Sequence, residues 1–221
     1  MQSLRMLAKM KLNLEALYYE RPFPYCSRRY SGRNFHRQYL YHLFGQKVPE
    51  NFILKTNGKD NLKSSVAINR MRSMTDQGGI NLVIFDADDD CEARRASILE
   101  WKEQNGLEFE LFLLPNNQDK GELEDLLENI INPNNRPIME CWENYEKELV
   151  TLDIPGRTPP PLTIPAKKTK IYGYLEALLF ESESDKKKIK EREREYHNAL
   201  HWNLDAEYLL PLKEFLEKWI G

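Results

Sequence analysis

Residues 80–86 read INLVIFD, apolar at all but two positions and ending in a carboxylate. A strand wetted on one face alternates apolar with polar side chains, so an unbroken short run belongs to a strand covered on both faces, as in a parallel sheet between helices. The neighbouring segments repeat the theme. NFILK (51–55) precedes the turn signal Asn57-Gly58, and Leu62, Val66, Ile68, Met71 and Met74 then recur at roughly helical spacing over 59–75. After the run at 80–86 comes a helical stretch with Ala93, Ala96 and Trp101, closed by Asn105-Gly106. EFELFLLP (108–115) reads as another strand, and Leu123, Leu126, Leu127, Ile130 and Ile131 form one helical stripe after Gly121. Three strand-then-helix units in succession predict an α/β fold, a mostly parallel sheet sandwiched by helices.

NFHRQYLYHLFG (34–45) adds a helix before these units. Beyond 131 no strand is expected. MECWENYEKEL (139–149) is helical in pattern, and the segment 151–168 holds five of the chain's twelve prolines, so it reads as an extended connector. Helices are expected near 166–180 and 206–220, with a highly charged stretch, SESDKKKIKEREREY, as a solvated helix or mobile loop between them. The organisation predicted is an α/β core over 1–135 with an atypical N-terminal region and a helical extension over 136–221, packed together as one compact unit.

Composition narrows the class. With 41% hydrophobic and 30% charged residues the chain is neither disordered nor collagen-like. No run approaches 18 apolar residues, and Lys9 and Lys11 interrupt the first apolar stretch, so the reading is a cytoplasmic protein with no membrane partner. Cys26, Cys91 and Cys141 are too few and scattered for a disulfide framework or a zinc site. The net charge of -3 conceals an asymmetry: residues 1–50 hold nine Lys and Arg against three Glu. Arg28, Arg29, Arg33 and Arg37, interleaved with Tyr25 and Tyr30, are the candidates for holding a nucleic-acid backbone while aromatics stack on bases.

The chemistry is concentrated in VIFDADDD (83–90), which has four aspartates in five positions. A buried strand delivers Asp86 and Asp88 at its C-terminal end, where open parallel sheets place their ligand crevice, and side chains two apart on extended backbone point the same way. Clustered carboxylates repel unless a cation joins them, and oxygen-only ligands favour Mg2+ or Mn2+. Asp90 supports the cluster, as do Glu122, Glu124 and Asp125 at the start of the next helix. The competing explanation is that these acids cap helices and complement their dipoles. His197 and His201 have the spacing of a zinc pair, but Asn198 stands where a metalloprotease has Glu, and no phosphate-binding glycine loop or serine elbow occurs.

The strand ending in Asp86-Ala87-Asp88, with TNGKDNL before it and LLPNNQDKGELEDLL after it, resembles the TOPRIM-like (Rossmann-like) domains of topoisomerases, primases and overcoming-lysogenization-defect nucleases. The IYGYL helix and the HWNLDAEYLLPLKEFL segment are similar to a small TOPRIM-related group of stand-alone bacterial proteins. The resemblance spans about residues 51–219. It implies a divalent-metal site in which Asp86 and Asp88 cooperate with a glutamate at the end of the first strand, and phosphodiester chemistry of a metal-dependent nuclease or phosphotransfer enzyme. The first motif departs from the family. Counting back from Phe35 puts Arg28 at the glutamate position and Gly32 at the following acid, and Glu20 substitutes as catalytic carboxylate only if 21–32 form an insertion. Two alternatives follow: a non-catalytic interaction protein with a degenerate TOPRIM site, or a phosphatase of the haloacid-dehalogenase type, which also uses Asp-x-Asp after a buried strand.

Overall fold

The computed structural model describes residues 25–27, 30–49, 53–55, 64–156, 162–179 and 182–220. It holds β1 (Tyr25–Ser27), α1 (Tyr30–Phe44), β2 (Ile53–Lys55), α2 (Ser65–Asp76), β3 (Leu82–Asp86), α3 (Cys91–Gln104), β4 (Glu110–Leu114) and α4 (Leu123–Asn129). A 3-10 turn at Pro133–Asn135 leads into α5 (Arg136–Leu149), followed by α6 (Lys167–Leu178), α7 (Glu183–Ile189), a second 3-10 turn at Glu207–Leu209 and α8 (Leu210–Ile220). Among the described residues no helix is long and apolar enough to cross a membrane.

The four strands form one parallel sheet in the order β2-β1-β3-β4. The α/β class and the parallel sheet follow the reading of the sequence. β1 does not, because YCS is too short to show a period. All five residues of β3 are buried, and their alternation divides the core. Leu82 and Ile84, with Phe112 and Leu114 of β4, meet α1, α4, α6 and α8 through Phe35, Leu126, Tyr174 and Leu212. Val83 and Phe85, with Leu113, meet α2 and α3 through Met71, Ile98 and Trp101. Asn81, just before β3, is 2% exposed and uses its amide to hold Met71 O at 3.0 Å, Thr75 Oγ1 at 3.1 Å and Glu108 O at 2.8 Å. One buried amide thus fixes α2 against both strand entries.

The chain runs from β1 outward to β2, returns past β1 to β3, and continues outward to β4. Its winding reverses between β1 and β3, so the crevice of this sheet lies outside the C-terminal ends of those two strands.

The residues after 136 build onto the same core rather than beside it. Ile131 and Trp202 form an antiparallel bridge, and Trp202, 2% exposed, packs on Tyr174 and Tyr196 at ring separations of 5.5 and 5.6 Å. The charged stretch after α7 is only partly solvated. Its Arg194 is 3% exposed and stands over the rings of Tyr172 and Tyr196 at 5.3 and 5.7 Å. Helix α6 contains Gly173 because α5 leaves no room there: an added Cβ would lie 2.5 Å from Trp142 Cζ3.

Two stability predictions follow. Gly173→Ala gains up to about 1 kcal/mol in helix propensity but forces the Trp142 ring aside, an overpacking cost of about 1–3 kcal/mol. Urea unfolding should therefore show a net loss, reversed when Trp142→Leu is combined with it. The second concerns His36 on α1, 1% exposed, whose burial holds the imidazole down to about 3 from the ordinary 6.5. The folded protein keeps it neutral while the unfolded chain takes up a proton, so its contribution is complete above pH 6.5 and is lost as pH falls toward 3. Stability should drop by up to about 1.4 kcal/mol per pH unit below that point on this account, and His36→Gln should flatten the profile between pH 7 and 5.

Candidate functional site

Asp86 ends β3 beside the reversal point and is 3% exposed. Its Oδ1 accepts a hydrogen bond from Leu123 N at 3.0 Å, so the carboxylate meets the first residue of α4. The chain leaves extended geometry immediately afterwards. Ala87 N is held by Leu114 O at 2.9 Å, and Asp88 takes φ +56°, a left-handed conformation that aspartate tolerates better than most residues. The two-residue period that would aim Asp86 and Asp88 alike does not continue through this turn. Instead Asp88 exchanges two backbone hydrogen bonds with Gly121, at 2.9 and 2.7 Å, and its carboxylate forms an ion pair with Arg94 of α3. Asp90 is the N-cap of α3, accepting from Ala93 N at 3.0 Å.

The second acidic group is similarly engaged. Glu122 and Asp125 form a reciprocal capping box at the start of α4, with Glu122 N donating to Asp125 Oδ2 at 2.8 Å. Gly121 is required beside it: its φ is +143°, and a Cβ would fall 2.6 Å from that same carboxylate oxygen. Asp125 Oδ1 also meets Lys167 Nζ at 2.6 Å. Partial burial opposes the charge on Lys167, but the Asp125 hydrogen bond and the nearby Glu122 and Glu128 outweigh it and hold the ammonium above its ordinary range. Glu124 is 4% exposed, about as deeply buried as Asp86. One helical turn along α6, Lys170, 6% exposed, lies 2.6 Å from Glu128.

Among the described residues no group of three or more His, Cys, Asp or Glu is arranged to hold a metal ion. The donor set itself explains this: Asp86 presents one oxygen to a backbone amide, Asp88 faces a guanidinium, and Asp125 faces an ammonium. The acids at this rim do not fit a three-carboxylate centre as they stand. Glu20, Arg28 and Arg29 lie outside the described residues. β1 ends at Ser27, paired with Ile84 two residues short of Asp86, so the sequence leaves the strand directly into Arg28 and Arg29. Arg33 and Arg37 both sit on α1, where Arg37 donates to Asn34 Oδ1 at 3.2 Å and borders a groove against residues 192–197. His197 and His201 occupy turns rather than a helix, so their four-residue spacing does not place them on one face; His197 Nδ1 lies 2.8 Å from Gln38 Oε1.

Sequence reasoning passed over Arg94, Arg95, Lys167 and Arg194. Arg95 donates to Asn117 O at 2.7 Å and to Asn117 Oδ1 at 3.0 Å, fixing the loop after β4. Lys167, Lys168 and Lys170 were the available signal: three cations in the first turn of a helix run against its dipole and call for carboxylates nearby.

The chain belongs to the family described as protein of unknown function DUF3226, which matches residues 35–221. No curated protein and no solved structure matches it.

If Asp86 holds the start of α4, its removal costs stability with no ion present. Asp86→Ala in excess chelator should lose about 1–3 kcal/mol in urea unfolding, the range for a buried charged hydrogen bond left unmade. A neutral or stabilising result would instead identify the residue as a carboxylate strained by its acidic neighbours.

Proposed function

We propose that this family member is a TOPRIM-like module that binds nucleic acid without cutting it, its acidic rim serving as scaffold. The supporting observation is that two acids of the rim meet cations of the fold, Arg94 on Asp88 and Lys167 on Asp125, while the Leu123 amide engages one oxygen of Asp86. A phosphodiesterase of this type needs acids that repel one another enough to recruit a divalent ion. Here Asp88 and Asp125 already face fixed cations. The sequence also replaces the first-strand glutamate by Arg28, turning the position from repelling a phosphate to attracting one. The excess of Lys and Arg in the first fifty residues, Arg33 and Arg37 included, supplies the attraction for a phosphate backbone.

A second reading keeps the enzyme. It is favoured by the place of Asp86, buried at the reversal point of a parallel sheet, with Asp88 two residues on. In that reading Asp86, Asp88 and Glu20 hold Mg2+ or Mn2+, and the ion supplies charge neutralisation at a phosphate. The phosphatase alternative is weaker, since Asp86 ends the third of the described strands and its Oδ1 is engaged by Leu123 N.

Labelled DNA and RNA, titrated across a salt series with and without Mg2+, test the proposal. Binding should be present at low salt, fall steeply as salt rises, and leave the strand intact, while calorimetric titration with Mg2+ or Mn2+ stays silent. Scission that needs the metal and disappears in Asp86→Asn with Asp88→Asn would establish the enzyme instead; no binding at low salt would remove nucleic acid altogether.

A further inference from the structure

Asn34, Arg37, Gln38 and Tyr41 of α1 and residues 192–195 and 197 line an open groove of about 600 Å3, within the ~300–1,000 Å3 range of small-ligand sites. The far wall is chain that composition marks as solvated, yet it is held firmly. Asn34, 6% exposed, donates through Nδ2 to Glu191 O at 3.0 Å and Arg194 O at 2.8 Å. Gln38 donates to Arg194 O at 2.8 Å and accepts from His197 N at 3.0 Å. Two amides on α1 therefore pre-set the wall, and a ligand entering the groove does not have to order it.

The lining combines a cationic edge with an apolar floor. Arg37, Lys47 and Arg192 border it, while Tyr41, 48% exposed, Val48 and Pro49 supply the apolar surface. The two acidic residues of the wall have cations of their own: Glu193 lies 3.2 Å from Arg192, and Glu195 lies 3.3 Å from Lys188. An exposed aromatic beside guanidinium and ammonium groups is the arrangement that takes a base by stacking and its phosphate by charge. Both faces of a base inside a duplex are covered by its stacked neighbours, so the occupant this lining fits is a base splayed out of a single strand.

Resting on the nucleic-acid reading above, we infer that this groove seats one unpaired nucleotide of a single strand, with its base against Tyr41 and its phosphate toward Arg37 and Lys47.

Fluorescence anisotropy with a labelled 12-residue oligouridylate or oligothymidylate, a blunt duplex of equal length, and a free mononucleotide as competitor decides the matter. The single strand should bind more tightly than the duplex. Tyr41→Ala should weaken it about 10-fold, in line with the loss of one stacked base, and Tyr41→Trp should retain it. Lys47→Ala with Arg37→Ala should lower the slope of log affinity against log salt by roughly 0.7 for each phosphate no longer neutralised. Lys186→Ala with Lys187→Ala, on exposed α7, should leave binding unchanged, and circular dichroism should show every variant folded. Strand binding that survives unaltered in the groove variants overturns the groove while leaving nucleic-acid recognition intact. No strand binding by the wild type at low salt overturns both, and tight mononucleotide binding without strand binding overturns the strand as occupant.

Discussion

Everything in this fold depends on β3 being dry on both faces. Its five residues, Leu82 to Asp86, are all buried, and the four apolar ones serve two separate cores by turns, Leu82 and Ile84 on one side and Val83 and Phe85 on the other. A strand in that position cannot place a charge along its length, so the first carboxylate it carries appears at the very end, where backbone amides of the next layer are within reach. Asp86 is thus positioned by the same constraint that makes its strand apolar.

From that point outward the chain handles a dense set of charges by pairing them. Buried or half-buried acids are costly unless a partner is close, and the partners here arrive from different layers: Arg94 from the helix after β3, Lys167 and Lys170 from the helix after the proline-rich connector. The lysines sit at the wrong end of their own helix for its dipole, and the carboxylates of α4 offset that penalty. An acidic rim so compensated has the outline of a metal site while acting as a joint between layers.

The long-period features of the molecule could be read from the sequence. The apolar runs at 80–86 and 108–115 and the stripes between them gave the parallel sheet and its helices to within a few residues. What escaped was decided by single residues. β1 offers only Tyr25, Cys26 and Ser27, with no period to recognise, although it pairs with both β2 and β3. The shared direction of Asp86 and Asp88 assumed extended backbone, and one left-handed residue broke it. Arg194 and Tyr196, in a run of alternating charge, are buried because Asn34 and Gln38 capture the backbone there, and side-chain amides leave no periodic trace. The acids themselves were visible from composition; that Asp125 and Glu128 pair with Lys167 and Lys170, far along the chain, was not.

The bridge between Ile131 and Trp202 and the shared cluster that runs from Phe35 and Leu82 to Leu212 and Leu216 carry a consequence for biosynthesis. While the ribosome is still short of residue 216, the sheet can pair its strands and close the face covered by α2 and α3, but the opposite face, though it has α1, α4 and α6, still lacks α8. A fragment that ends before α8 therefore leaves the apolar partners of Leu212 and Leu216 exposed, which marks it for chaperones or proteases.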